Sequence, residues 1–379
     1  MSSQEQQRME QQGVANGRIA PEEIVRFVLQ KEFATDQEIE RCLQIWRDRR
    51  SKGEDVSLLQ VMVQQEALTR NQARRIAQHI ARQGNRIPGY QLIEKIGQGS
   101  MGVVFKARQL SMNRFVAIKI LHPKFARNRE FIERFYREAR LAAQLSSGNI
   151  VQAIDVGEAD GLYFFVMEYV DGYTVQEKLD EGKIYDQDEA LRIGIQIARA
   201  LEHAWARRLV HRDIKPANIL IARRDGVVKL ADLGLARMTS DIATIRSEKG
   251  RSVGTAYYVS PEQIRGIPDL DVRSDIYSLG ATLYHMTTGS PPFRGQTVAE
   301  QLRAHLEQEP PAPNVLNPKL TDTFTELIRY MMAKDRNQRY RTPGDVAGDM
   351  ESVLRGGPPF VGRETIPQPV RRGARQQRA

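Results

Sequence analysis

The chain has 379 residues, 41% hydrophobic and 27% charged, with a formal net charge of +9, a balance ordinary for a globular protein of two or three domains. Its single cysteine, Cys42, excludes an intramolecular disulfide and a cysteine-built metal cage, and no apolar run approaches the roughly 18 residues of a membrane span. Six arginines against one glutamate lie in residues 355–379, so the positive excess belongs to a tail rather than to a folded basic face, and no specific nucleic-acid partner is expected.

The polar, Gln-rich start is unlike a signal peptide, and the lone cysteine fits a reducing compartment; the expected location is the cytoplasm. From residue 18 to 83 the pattern is helical and repeats with a period of 34 residues. Phe27-Val28-Leu29-Gln30-Lys31-Glu32 recurs as Val61-Met62-Val63-Gln64-Gln65-Glu66. Thr35 with Glu38, and Thr69 with Gln72, each read as a capping box. Ile39, Cys42, Leu43 and Trp46 then share one helical face, as do Ala73, Ile76, Ala77 and Ile80. Each unit is a short helix, a turn and a longer amphipathic helix, and two units can bury their stripes against each other. Gly84, Pro88 and Gly89 mark a linker over 84–89.

Strands are expected at Tyr90–Ile96, Gly102–Arg108 and Phe115–Ile120, then a helix near Glu130–Gln144, then strands near Ile150–Glu158 and Gly161–Glu168. Helical patterns dominate from there, which gives an α+β class. Between the first two strands stands Gly97-Gln98-Gly99-Ser100-Met101-Gly102-Val103-Val104. Glycines let backbone approach phosphates closely. A strand rather than a helix follows, which favours a flap over nucleotide phosphates instead of a dinucleotide fold.

Lys119 ends Val116-Ala117-Ile118-Lys119, and a lysine pointing inward from such a strand needs an anion partner. Glu138 on the following helix can supply it, with Glu133 and Arg134 as competitors for the roles on that helix. In His211-Arg212-Asp213-Ile214-Lys215-Pro216-Ala217-Asn218, Asp213 can accept a hydroxyl proton and Lys215 can neutralise a transferring phosphate. Asn218, and Asp232 in Ala231-Asp232-Leu233-Gly234, are hard oxygen donors suited to magnesium. A two-carboxylate hydrolase built on Asp213 and Asp232 is the rival reading; it leaves the glycine loop and Lys119 unexplained.

Taken in order, these motifs and Ser260-Pro261-Glu262 make residues 90–354 resemble the eukaryotic-type (Hanks-type) protein kinases, bacterial serine/threonine branch. The resemblance implies a bilobal fold, with a small β-rich N-lobe and a large helical C-lobe. A small all-α repeat domain (18–83) would precede it and a disordered basic tail (355–379) would follow. It implies that ATP is bound by Ile96, Gly97, Gln98, Gly99, Ser100, Met101, Gly102, Val103 and Val104, by Lys119, and by the backbones of Glu168 and Val170 beside a gatekeeper, Met167. It implies Asp213, Lys215, Lys119 and Glu138 as catalytic residues and Asn218 and Asp232 as ligands of Mg2+, with Mn2+ as a substitute. Asp275 should brace the catalytic loop, and Arg339 should pair with Glu262.

Three positions depart from the family pattern: Leu233 for Phe, Ser260 for Ala, and Ser147-Gly148-Asn149 for His-Pro-Asn. None removes a catalytic group, which argues against an inert kinase-fold scaffold. Lys215 and Thr255 match enzymes that act on serine and threonine. Arg212 is of the kind that receives a phosphorylated activation-loop residue, and Thr239, Ser240, Thr244, Ser247 and Ser252 offer hydroxyls for autophosphorylation. The helical repeat is similar to duplicated helical domains found before some bacterial ATPases and kinases, which suggests protein docking or dimerisation. Expected partners are protein substrates with Ser/Thr acceptors.

Overall fold

A computed structural model of the chain describes residues 21–31, 33–52, 54, 56–83, 87–99, 101–126, 128–159, 161–232 and 256–360. The chain divides into two compact units, 1–92 and 93–379.

In the first unit the repeat takes the expected form. Helices α1 (Pro21–Gln30) and α2 (Asp36–Ser51) make one copy, and α3 (Leu58–Gln64) and α4 (Arg70–Gln83) the other. Thr35 accepts from the Glu38 amide while its own N–H donates to the Glu38 carboxylate at 2.8 Å. Thr69 and Gln72 repeat the arrangement at the same 2.8 Å. A third box, Ser57 with Gln60, caps α3. The amphipathic stripes meet in one core of Ile24, Val28, Ile39, Cys42, Met62 and Ile76, with Leu43, Trp46, Ala73 and Ala77 packed on it. Trp46 anchors the inter-repeat turn by donating its indole N–H to the Val56 carbonyl at 3.0 Å.

A five-stranded sheet follows along the chain, in the order β1-β2-β3-β5-β4. Its strands are β1 (Tyr90–Gln98), β2 (Gly102–Gln109), β3 (Arg114–Leu121), β4 (Ala153–Ala159) and β5 (Leu162–Glu168). The short helix α5 (Pro123–Ala126) and helix α6 (Arg129–Ala143) lie between β3 and β4. Asn128 caps α6 by accepting from the Phe131 amide. Its buried face, Phe135 and Ala139, packs with Ala117, Phe165 and Met167 of the sheet.

Strand β4 starts at Ala153, three residues later than expected. The preceding segment leaves the small sheet: Val151 donates to the Leu230 carbonyl, Leu230 donates to the Asn149 carbonyl, and Ile150 bridges Leu230. Asn149 holds this crossing through its Nδ2, which donates to Gln196 and to the Val228 carbonyl. The Ser-Gly-Asn departure therefore keeps a working asparagine.

A helical body follows. A three-stranded ribbon of β6 (Gly172–Thr174), β7 (Ile219–Ala222) and β8 (Val228–Leu230), in that order, lies beside it. The main helices are α7 (Val175–Asp180), α8 (Gln187–Trp205), α9 (Pro261–Arg265) and α10 (Val272–Thr288). They continue as α11 (Val298–Glu307), α12 (Pro313–Leu316), α13 (Asp322–Met331) and α14 (Pro343–Leu354). Helices pack closely here: a Cβ on Gly194 of α8 would come within 2.9 Å of the Met350 sulfur of α14, and one on Gly280 of α10 within 2.8 Å of Met331 of α13.

The fold does not stop at Leu354. The Ser352 hydroxyl donates to the Pro358 carbonyl and Gly357 donates to the Ser352 carbonyl, both at 2.8 Å. These bonds turn the chain back over the end of α14 and bury Pro359. Of the expected tail over 355–379, residues 355–360 are described; residues 361–379 lie outside the described residues, as does 84–86 of the linker.

Candidate active site

Strand alternation decides which side chains reach the cleft. Lys119 stands opposite Val104 on β2 and Phe165 on β5, and Ala117 stands opposite Met167. Directly paired residues share a face, so Val104, Ala117, Lys119, Phe165 and Met167 line one side of the sheet. Lys119 is only 8% exposed, and burial of that kind requires an anion. The Lys119 Nζ donates to Asp232 Oδ1 at 2.8 Å. The expected partner was Glu138; that residue sits on α6, but its side chain lies outside the described ones. Burial pulls the Asp232 carboxyl upward, yet the Lys119 ammonium and, behind it, Lys215 hold it below the usual carboxylate range. It is therefore an anion at neutral pH.

The loop 211–218 is built around Asp213. Its Oδ2 takes Lys215 Nζ at 2.9 Å. Asn218 Nδ2 donates to the Asp213 carbonyl at 2.8 Å and to Oδ2 at 3.1 Å. Both amide protons are thereby used, which fixes the Asn218 side chain with Oδ1 as its acceptor end. The Ala231 amide donates to the Asn218 carbonyl at 2.8 Å, so the segment carrying Asp232 is tied to the segment carrying Asp213. Asp213 donates its N–H to His211 Nδ1 at 3.3 Å, and His211 Nε2 lies 3.0 Å from the Ala231 carbonyl. The His211 ring thus ties the same two segments again.

Arg212, at φ 65°, and Asp232, at φ 54°, both sit in the left-handed region that non-glycine residues avoid. Asp275 supports the first of them from α10. Its two carboxylate oxygens accept from the His211 and Arg212 amides, each at 2.7 Å. Burial pushes the Asp275 carboxyl up to about 7 against the downward pull of those two bonds. From α9, Gln263 adds a bond to the Arg212 carbonyl at 2.9 Å.

Farther out, Glu262 and Arg339 form the expected pair, at 2.7 and 2.9 Å. Arg339 spends its remaining N–H groups on the Ala333, Arg273 and Lys334 carbonyls. Burial raises the Glu262 carboxyl, but bonds from Arg339 and Ser274 bring it below its ordinary value.

The glycine loop joins β1 to β2, and Gly99 donates to the Gly102 carbonyl at 2.9 Å across the turn. None of Gly97, Gly99 and Gly102 needs a positive φ. Gly102 is required for contact instead: a Cβ there would lie 2.1 Å from the Ile120 carbonyl oxygen. At Gly99 a Cβ would meet nothing within 4 Å, so the missing side chain leaves open space where a phosphate can approach backbone. Ile96 is 44% exposed, Val103 is partly exposed, and Met101 packs beside Val104. Gln98, the last residue of β1, accepts from Lys95. Ser100 lies outside the described residues.

At the hinge, the Glu168 N–H donates to the Gln152 carbonyl, which leaves the Glu168 carbonyl, not its amide, to meet a ligand. Val170 follows in the open connection to β6. Sequence reasoning missed two lysines here. Lys229 on β8 pairs with the Glu168 carboxylate at 3.0 Å. Lys106 on β2 lies 4.9 Å from the Phe115 ring and 4.7 Å from the Tyr169 ring. Alternation within β8, with Val228 and Leu230 buried and Lys229 not, was the available signal for the first. The activation-loop residues Thr239, Ser240, Thr244, Ser247 and Ser252, together with Leu233, Gly234 and Thr255, lie outside the described residues.

Asn218 Oδ1 and the Asp232 carboxylate are hard donors and fit a divalent ion. They are fewer than the roughly six oxygens such an ion takes, so water and a phosphate-bearing ligand must complete the shell.

A family model described as the protein kinase domain matches residues 90–347. Serine/threonine-protein kinase PrkC of Bacillus subtilis is 40% identical over 272 residues, covering 72% of this chain and 41% of its own. Serine/threonine-protein kinase PknB of Mycobacterium tuberculosis is 36% identical over 274 residues, covering 71% and 44%. The crystal structure of the Mycobacterium tuberculosis PknI kinase domain matches with a TM-score of 0.56 and 28% identity, covering 70% of this chain and 96% of that one. The chain spans about two fifths of the length of the curated relatives it matches.

Proposed function

The chain belongs to the protein kinase family, in its bacterial serine/threonine branch, and from that premise we propose that it transfers the γ-phosphoryl group of ATP to serine and threonine hydroxyls of protein substrates. The observation that supports this most is the linkage of groups distant in sequence. Lys119 contacts Asp232, the neighbouring Ala231 bonds Asn218, and Asn218 and Lys215 both bond Asp213. These links support reading Lys119 as the cation, Asn218 and Asp232 as the oxygens for a metal, and Asp213 as the proton acceptor of one cleft.

The catalysis needed is mostly positioning and charge stabilisation. Asp213 orients the acceptor hydroxyl and takes its proton. Lys215, already beside that carboxylate, neutralises charge on the transferring group. Lys119 moves from Asp232 to the α- and β-phosphates, and Glu138 steadies it there. Asn218 and Asp232 would hold the ion that accompanies ATP, Mg2+ or Mn2+, which would supply screening of the phosphate charge. The glycine loop covers the phosphates, while the Glu168 carbonyl and the Val170 backbone hold adenine. The helical repeat, which has a core of its own, is assigned to docking or dimerisation. No helix among the described residues is long and apolar enough to cross a membrane, and the cytoplasm is the assigned location. Phosphoamino-acid analysis of a protein substrate labelled from γ-phosphate-labelled ATP tests the reading; label on phosphotyrosine alone, or no label, refutes it.

A further inference from the structure

The adenine end of the cleft and the end that carries Asp232 are joined by one ion pair. Lys229 stands three residues before Asp232 on β8 and faces away from the buried Val228 and Leu230. Its Nζ lies 3.0 Å from the carboxylate of Glu168, the first residue of the hinge. The side chains are 17% and 33% exposed, so the pair is shielded enough to exceed the small worth of a fully exposed one. Glu168 is held on two further sides. Its carboxylate accepts from the Gln152 amide at 3.2 Å, and its own amide donates back to the Gln152 carbonyl at 2.9 Å. That closed ring fixes the peptide at 168 and with it the direction of the Glu168 carbonyl. Gln152 follows Val151, whose N–H donates to the Leu230 carbonyl of β8; Lys229 adds from that same strand the direct side-chain link to Glu168.

We propose that Lys229 is a positioning residue for the nucleotide: by gripping Glu168 it sets the hinge backbone that reads adenine at a fixed distance from the strand that delivers Asp232. Lys229 touches neither phosphate nor acceptor in this role. Its loss misplaces the adenine edge and spares the transfer step. The proposal rests on the reading of the cleft as an ATP site, and its test separates the two.

The full chain is prepared as Lys229→Met, as Glu168→Gln, which keeps the shape and the Gln152 contact, and as the charge-swapped double variant Glu168→Lys/Lys229→Glu. Binding of adenosine, which has no phosphate, is measured by calorimetry alongside KM for ATP, kcat and the thermal midpoint. Each single variant is expected to weaken adenosine binding and raise KM by roughly tenfold, the scale of losing one half-buried charge pair, and Lys229→Met is expected to leave kcat unchanged. The double variant is expected to recover the part of the loss that belongs to the charge pair, though not the Gln152 amide bond, because a lysine at 168 carries no acceptor. Wild-type adenosine affinity in both single variants overturns the proposal. So does a double variant as weak as the singles at an unchanged thermal midpoint. A wild-type chain that binds adenosine but transfers no phosphoryl group overturns the kinase reading and leaves the pair's role in adenine binding standing.

Discussion

Replacing Asp275 with asparagine isolates the support of the catalytic loop. In the native chain both carboxylate oxygens accept backbone N–H groups, from His211 and Arg212, at 2.7 Å. Asparagine keeps one acceptor oxygen and turns an NH2 toward the other amide. One buried N–H is then unpaired, and a hydrogen bond to an ionised group is lost, which together cost about 2–3 kcal/mol. Arg212 also holds φ 65°, and a strained residue of this kind stores about 1–3 kcal/mol that its surroundings must contain. With one bond gone the loop relaxes, and restoring its active geometry in each turnover slows transfer by about tenfold for each 1.4 kcal/mol. The assay pairs urea unfolding with kcat above about pH 8, where the native Asp275, pushed up to about 7, is ionised. A loss under about 0.5 kcal/mol with unchanged kcat would refute the bracing role.

Arg339→Met leaves Glu262 charged in a site where the pair is 0% and 3% exposed; breaking such a pair costs about 3–5 kcal/mol, and the urea midpoint should fall accordingly. The double variant Arg339→Met/Glu262→Gln should be less damaged than the single, and equal damage would show that the lost charge partner is not the cause. Burial lowers the His285 imidazole to about 4 and the His305 imidazole to about 3 from 6.5. The unfolded chain therefore binds protons that the folded chain refuses, so their contribution to stability is full above about pH 6.5 and is lost as pH falls toward 4. Asp275, raised from 3.8 to about 7, works the other way, losing its contribution as pH rises through that window, and the two histidines outweigh it. The thermal midpoint should fall between about pH 7 and about pH 5, and His285→Asn should flatten the slope.

What the sequence disclosed follows from the range of each interaction. The capping boxes at Thr35 and Thr69 are contacts between residues three apart, and both were legible from spacing alone. Ser57 was missed because its partner, Gln60, opens a helix of only 7 residues. The loop of Asp213, Lys215 and Asn218 is local in the same way, and its motif names it. The anion that meets Lys119 is 113 residues away, and nothing in a strand pattern ranks Asp232 above Glu138. Arg339 and Glu262, 77 residues apart, were matched by resemblance, not by any physical signal in either segment. Ile150 reads as a strand residue because it is apolar and β-branched; the structure spends it on a bridge to Leu230. The segment just after α14 illustrates the opposite case. Gly356, Gly357, Pro358 and Pro359 look like a tail, yet the Ser352 hydroxyl donates to the Pro358 carbonyl and the Ser352 carbonyl accepts from the Gly357 amide.

The central claim is that Asp213 is the group that handles the acceptor's proton, while nucleotide binding belongs to other residues. Asp213→Asn keeps the shape of the loop and removes only the basic oxygen. Single-turnover transfer from ATP to a protein substrate, with the nucleotide dissociation constant measured in the same preparation, separates the two properties. Transfer slower by orders of magnitude at near-native nucleotide affinity is the predicted result; transfer at a near-native rate contradicts the account.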